Sequence, residues 1–286
     1  MTAHVEAAYT AAQRRVAAAY GIACHASFAA GVGAMMAGLY TGMTLGLGRL
    51  HGAWAIVGDF LLLAQFPIAH SLLLSTRGRR WLSHLAPLGL GNALGTTTYA
   101  TIASWQLLAT FVLWSPLGQP WWTPRGATLA ALSIAYGVAW LLLLKTMTDA
   151  GLAVQTGYLG WGSVVRGRSP AYGPFRPRGT FRWVRQPVYV AFALTLWTAP
   201  VWTVDHLLLA ATWTAYCVLA PRHKERRYLR AHGERFERYR QLVPYWVPKT
   251  RPVDLRQVLE DQEVPRDVPA NESTPISQGT RVNGGR

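Results

Sequence analysis

Apolar residues run almost unbroken through five stretches of the 286-residue chain, at 21–48, 54–74, 94–117, 128–144 and 188–219. A helix needs about 20 apolar residues to cross a bilayer, so each of the first four predicts one span. The fifth is too long for one span and has Pro200 near its middle. A proline there removes a backbone donor and clashes with the preceding turn. The stretch therefore predicts a tight helical hairpin with arms at 188–197 and 204–219, the first short enough to cross only partly or at a tilt. The 21–48 stretch is rich in Gly and Ala, small residues that let helices pack closely in lipid. The expected fold is all-α and polytopic, with about five to six transmembrane helices ending in the hairpin.

The charges between the stretches set the orientation. Lys and Arg number 28 against 13 Asp and Glu, a net charge of +15. With the N-terminus inside, segments 1–20, 75–93, 145–187 and 221–286 hold 2, 3, 7 and 14 basic residues, and the outer loops hold only Arg49 and Arg125. Cytoplasmic loops carry such an excess, so both termini are expected in the cytoplasm, the membrane being a bacterial inner membrane. Nucleic-acid binding needs basic residues grouped on a soluble face, whereas here they alternate with apolar runs. At 51% hydrophobic and 14% charged, with thirteen Trp and twelve Tyr, the chain reads as a lipid partner.

Segment 1–20 reads as a cytoplasmic lead-in without a signal peptide, because no short apolar core and cleavage site opens the chain. Residues 21–249 form the transmembrane domain, and the polar tail 250–286 is expected to be disordered. Cys24 and Cys217 lie in apolar runs without metal spacing, so neither a disulfide framework nor a metal site is expected.

Phosphate-binding GxxxxGK[ST], nucleophile-elbow and GxGxxG signatures are absent. Arg, Tyr, Trp and Glu concentrate instead in segments 148–189 and 222–239, which the hairpin returns to one face of the membrane. Together they suit a polar, charged cofactor on the cytoplasmic side, with an apolar or small substrate entering from lipid. Arg anchors for lipid phosphates fit the same composition. Asp59 lies inside the second span, where an ionised carboxylate must be paired or face the bundle. It either lines a site or ties two helices together. His70, near the inner end of that span, is a second candidate on the substrate side.

Two runs resemble a known family. Gly179-Thr-Phe-Arg-Trp-Val-Arg185-Gln186-Pro187-Val-Tyr189 resembles the G-x-Y-x-x-x-R-H-P-x-Y motif of the isoprenylcysteine carboxyl methyltransferases and their relatives. Glu225-Arg226-Arg227-Tyr228-Leu229, followed by His232-Gly233, Phe236, Tyr239 and Val243-Pro244, is similar to that family's E-E-x-x-L … F-G-x-x-Y-x-x-Y … V-P. Further upstream, Asp59, Phe66, His70 and Ser71 resemble the D … F-x-x-Q-H-S pattern of the methanethiol S-methyltransferases and NnrU-like proteins. Tyr99, Trp114-Ser-Pro116, Asp149, Gly151 and the run Thr195–Pro200 fit the same branch. The chain departs from the pattern at Gln186 for His, Arg226 for the second Glu, His232 for Phe and Ala69 for Gln. Glutamine can hydrogen-bond a cofactor but cannot take a proton near neutral pH as histidine can.

The resemblance implies methyl transfer from S-adenosylmethionine to a small thiol such as methanethiol. Carboxyl methylation of an isoprenylcysteine-like molecule is the alternative, and a nicotinamide-dependent membrane reductase or a non-catalytic membrane protein the reading from another class. It implies Gln155, Tyr158, Arg185, Gln186, Pro187, Tyr189, Glu225 and Tyr239 as cofactor-binding residues. Arg185 and Glu225 take the catalytic places, with His223 a further candidate base.

Overall fold

The computed structural model describes residues 9–173 and 175–256. They form helices α1 (Ala11–Tyr40), α2 (Ala53–Leu73), α3 (Thr76–Leu85), α4 (Gly91–Val112), α5 (Gly126–Asp149), α6 (Leu152–Gln155), α7 (Tyr158–Val165), α8 (Pro187–Trp197) and α9 (Val204–Leu242). Among the described residues no strand forms; Trp122 and Trp202 meet in one isolated bridge between loops. α1, α2 and α5 are long and apolar enough to cross a membrane. On α5, Ile134 and Leu141 remain 68% and 67% exposed, as side chains facing lipid should. The chain is a helical membrane protein.

The spanning helices alternate in direction, with α2 packing against α4, α5 against α8 and α8 against α9. One end of the bundle, the hairpin end, gathers the turns after α1, α4 and α8: Leu47 N donates to Val112 O, and the Thr203 hydroxyl to Gly42 O. The other, the motif end, gathers the end of α2, the start of α4, the end of α5 and the start of α8.

α1 starts at Ala11, ten residues before the apolar stretch expected as its span. Thr10 and Gln13 form a reciprocal capping box there, satisfying helix donors that composition alone does not reveal. The helix stops at Tyr40 because Gly42 and Met43 adopt left-handed φ of 67° and 66°, so 41–48 is a turn rather than a continuation. α1 crosses α4 closely: a Cβ on Gly31 would stand 2.7 Å from Ser104 O, and one on Gly38 would meet the Phe111 ring at 2.5 Å.

α4 carries many hydroxyls yet sits centrally, because they turn inward. Thr98, Thr101, Ser104 and Thr110 donate to carbonyls one turn back, and Gln106 Nε2 donates to Gln65 Oε1 of α2 at 2.9 Å. Such pairs join helices where water is absent.

The core gathers on Trp213 of α9, which stacks on Phe192 and meets Phe66 and Phe111 edge or tilted at 5.3–5.9 Å. Its indole also answers a backbone problem. Pro67 inside α2 cannot donate to the Leu63 carbonyl one turn earlier. Trp213 Nε1 donates to that oxygen instead, at 3.3 Å. Trp213→Phe keeps most of the packing but orphans the carbonyl, and is expected to lower stability by about 1–3 kcal/mol in detergent unfolding.

α9 continues through Pro221 to Leu242, longer than the hairpin arm expected from the sequence, with a single non-helical residue at Gly233. Residues 250–256, expected to open a disordered tail, are packed. Leu255 is buried in a cluster with Phe236, Tyr239 and Val243, and Val253 exchanges hydrogen bonds with Arg182. A leucine and a valine in an otherwise polar segment suffice to bury it. The rest of that expected tail, like residues 1–8, lies outside the described residues.

Candidate functional site

At the motif end the two quoted runs meet. Pro187 opens α8 at its first position, where a missing N–H costs nothing, and this sets Gln186 as the N-cap with Arg185 just before it. The preceding 3-10 turn, Gly179–Arg182, is tied to the end of α5. Asp149 Oδ2 accepts from Thr180 N and Oγ1 at 2.8 and 2.9 Å. Gly179 has φ +55°, and a Cβ there would stand 2.3 Å from the Asp149 carboxylate.

Arg185 reaches across to α9. Its Nε donates to Glu225 Oε1 at 2.9 Å, and its Nη1 donates to the carbonyls of Arg240 and Val243 at 2.6 and 2.8 Å. The guanidinium thus pairs with a carboxylate and closes the open carbonyl end of α9, a favourable place for a cation. Gln186, 2% exposed, donates from Nε2 to the same Glu225 oxygen at 2.8 Å. Its Oε1 accepts from Lys224 Nζ at 3.4 Å. An amide in place of the family's histidine therefore links an acid and a base without itself titrating. Glu225 Oε2 lies 3.7 Å from Arg240 Nε.

Lys224 is the feature that sequence reading missed. Its ammonium lies 5.8, 5.7 and 5.6 Å from the ring centres of Phe181, Tyr189 and Tyr228. Burial pulls its pKa down to about 8, with Glu225 opposing and Arg227 assisting. The Lys224–Tyr228 spacing of four residues, which puts both on one helix face, was the available signal. Tyr239 is buried and donates to Phe181 O at 2.8 Å, so it holds the 3-10 turn; burial raises its pKa and Arg185 opposes. His223 and Arg226 are exposed on the other side of α9. His232, where the family has Phe, stacks on Phe175 at 5.1 Å and so keeps a ring in that place.

A second group lies beside this network. His70 stacks on Phe66 at 5.1 Å and meets the Tyr99 ring at 5.0 Å, and its Nδ1 is buried without a hydrogen-bond partner. Tyr216 meets Ser71 at 3.5 Å. Arg227 is within electrostatic reach of His70, Tyr99, Tyr189 and Tyr216. Tyr189 thus belongs both to the Lys224 cage and to the groups within reach of Arg227.

The structure separates three of the expected site residues from the network. Asp59 lies eleven residues before His70 on α2, about 16 Å along a helix, at the hairpin end. Its Oδ1 accepts from Ser115 N at 3.0 Å, and Asp205 Oδ2 accepts from Leu117 N at 3.0 Å. Two buried carboxylates therefore hold the turn after α4, and Asp59 is a tie between elements. Gln155 is exposed at the end of α6. Tyr158 opens α7, taking a hydrogen bond from Arg166 and packing edge-on against Trp161 at 4.9 Å. α6 and α7 pack mainly against α1, α4 and α5.

A caged ammonium, a carboxylate and a buried amide lie within one network, groups of the types that can hold a charged cofactor.

Similarity to known proteins points the same way. Methanethiol S-methyltransferase 2 of Bradyrhizobium diazoefficiens is 29% identical over 221 residues, which cover 76% of this chain and 81% of that protein. The methanethiol S-methyltransferase of Mycobacterium tuberculosis is 28% identical over 199 residues, 68% of this chain and 78% of that one. Nurim of Rattus norvegicus is 27% identical over 202 residues, 63% and 71% of the two chains. No family model and no solved structure matches. Both C-terminal runs meet at one end of the bundle, and the chain is similar to the methanethiol S-methyltransferases over more than two thirds of its length.

Proposed function

We propose that this protein is an integral membrane methyltransferase that uses S-adenosylmethionine to methylate a small thiol of the methanethiol kind. The observation that carries the reading is the network Arg185–Glu225–Gln186–Lys224, which joins the two motif runs at one end of the bundle. In this reading six passes cross the membrane, α8 being short, and the motif end faces the cytoplasm with both termini. The 2, 3, 7 and 14 basic residues of its segments support that side.

When bound, S-adenosylmethionine supplies an electrophilic methyl carbon, whose bond to sulfur breaks as a bond to the substrate thiolate forms, leaving a neutral thioether. Gln186, Tyr189 and Glu225 hold the cofactor. Arg185 and Tyr239 are positioning residues: Arg185 fixes Glu225 and the end of α9, and Tyr239 fixes the 3-10 turn carrying Phe181. Holding both reactants in line removes much of the barrier without a strongly reactive side chain.

The thiol must lose its proton, because the thiolate is the nucleophile. Arg227 stabilises the thiolate, and the Nδ1 of His70, buried without a partner among the described residues, accepts a hydrogen bond from the thiol as its proton passes to water. Entry through the apolar sides of α2 and α4 suits a small volatile thiol. Arg227 would also suit a carboxylate acceptor, which needs no base.

Methyl transfer from labelled S-adenosylmethionine by the detergent-purified protein tests the reading. Dimethyl sulfide should form from methanethiol, and His70→Ala, which removes the acceptor that orients the thiol, should reduce the rate by about 10². Labelling of a prenylcysteine analogue but not of methanethiol would replace the thiol with a carboxyl acceptor.

A further inference from the structure

The lysine in the network is in an unusual place. Ammonium ions are strongly hydrated point charges, and a lysine at a protein surface ordinarily keeps its head in water. Lys224 instead points its head among Phe181, Tyr189 and Tyr228, with the Gln186 amide oxygen as its one hydrogen-bond acceptor and no carboxylate partner among the described residues. The three rings come from three segments, the 3-10 turn, α8 and α9, and converge only because Arg185, Tyr239 and Asp149 hold those segments together. Rings within about 6 Å of a cation attract it through their electron-rich faces. A sulfonium suits such a cage better than an ammonium does, since it has no N–H bonds to leave unsatisfied and a thinner hydration shell to lose.

We infer that Phe181, Tyr189 and Tyr228 form the seat of the methyl donor's sulfonium, and that Lys224 occupies this seat in the empty protein as a resident cation which the donor must displace. The inference rests on the methyltransferase reading and adds to it a built-in preference. Lys224 opposes binding of the charged donor far more than binding of the neutral thioether product. To vacate the seat the ammonium loses its proton, and the flexible four-carbon stem lets the neutral amine step aside. The charged and titratable groups facing it are Glu225, Arg227 and Tyr228 of α9 and Tyr189 of α8, with Arg185 behind Glu225. Deprotonation removes the competing charge, and its midpoint near 8 places the change in an accessible range. Below that pH, one proton is released for each donor bound.

Calorimetry with S-adenosylmethionine and S-adenosylhomocysteine, which differ in the sulfonium alone, tests this directly. The amino acid and nucleoside parts cancel in the ratio of the two affinities. At pH 7, about one unit below the lysine's midpoint, Lys224→Met should tighten the sulfonium ligand by about tenfold and leave the thioether within about twofold. In the wild type the ratio should favour the sulfonium by about tenfold more for each pH unit raised up to about 8 and level off above; in Lys224→Met it should be flat. Tyr228→Leu should weaken the sulfonium ligand alone, by roughly three- to tenfold, whereas Tyr228→Phe, which keeps the ring, should not.

Equal loss of both ligands in Lys224→Met would overturn the inference, by showing that the lysine binds a part common to the two. An unchanged ratio in every variant would overturn it as well. Failure of folded wild-type protein to bind the thioether ligand would instead overturn the methyltransferase reading, and this inference with it.

Discussion

Glu225→Ala is expected to abolish cofactor binding and to lower stability by about 3–5 kcal/mol, the usual consequence of removing one member of a buried ion pair. Glu225 and Arg185 expose only 11% and 12% of their side chains, so neither charge is screened by water. Without the carboxylate, Arg185 still has the Arg240 and Val243 carbonyls, but its positive charge is uncompensated beside Lys224. Gln186 loses the acceptor that orients its amide, and the cage beside it loses its alignment. Glu225→Gln separates the two effects. The amide keeps an oxygen for Arg185 and Gln186, so most of the fold should survive, while the lost charge should weaken binding by at least tenfold. Detergent unfolding together with calorimetry reads both; equal stability and full binding in both variants would remove Glu225 from the site.

Gly179→Ala has the second largest expected effect, on a residue that touches no proposed ligand. Its φ of +55° costs about 1–2 kcal/mol for any residue with a Cβ. The added carbon would also fall 2.3 Å from the Asp149 carboxylate, so the Asp149–Thr180 hydrogen bonds must break or the turn must move. Either outcome displaces Phe181 and slackens the segment leading to Arg185. Affinity for S-adenosylhomocysteine should fall by more than tenfold, about 1.4 kcal/mol or more, with the bundle itself intact by circular dichroism. Asp149→Asn keeps an oxygen for the turn and should cost much less. A Gly179→Ala protein that binds normally would show that this turn does not set the site.

The large apolar periods were legible because lipid leaves few alternatives to long helices. Boundaries were less so. The start of α1 depends on the capping box at Thr10 and Gln13, and its end on two left-handed residues, features that hydropathy averages away. Pro200 was rightly read as a break, since the chain turns there with no partner for a continuing helix. Pro221 and Pro67 lie within helices instead, because other contacts hold the chain; at Pro67 the indole of Trp213 makes up the lost hydrogen bond from 146 positions away. No local pattern contains that. Arg185, Gln186, Glu225 and Tyr239 were found through motif resemblance, and the structure brings them into one network. Gln155 and Tyr158 were implied by the same resemblance, yet α6 and α7 lie mainly against α1, α4 and α5. Lys224, midway along α9, falls just before the quoted motif run and carries no motif position of its own. Only the convergence of three rings from separate segments distinguishes it.

Calorimetric titration of the detergent-purified wild-type protein with S-adenosylhomocysteine tests the central claim most directly, because it needs no knowledge of the methyl acceptor. Micromolar, one-to-one binding that Glu225→Gln weakens by at least tenfold is the predicted result. A well-folded wild type that takes up no S-adenosylhomocysteine would contradict the assignment of a methyl-donor site to the motif end of the bundle.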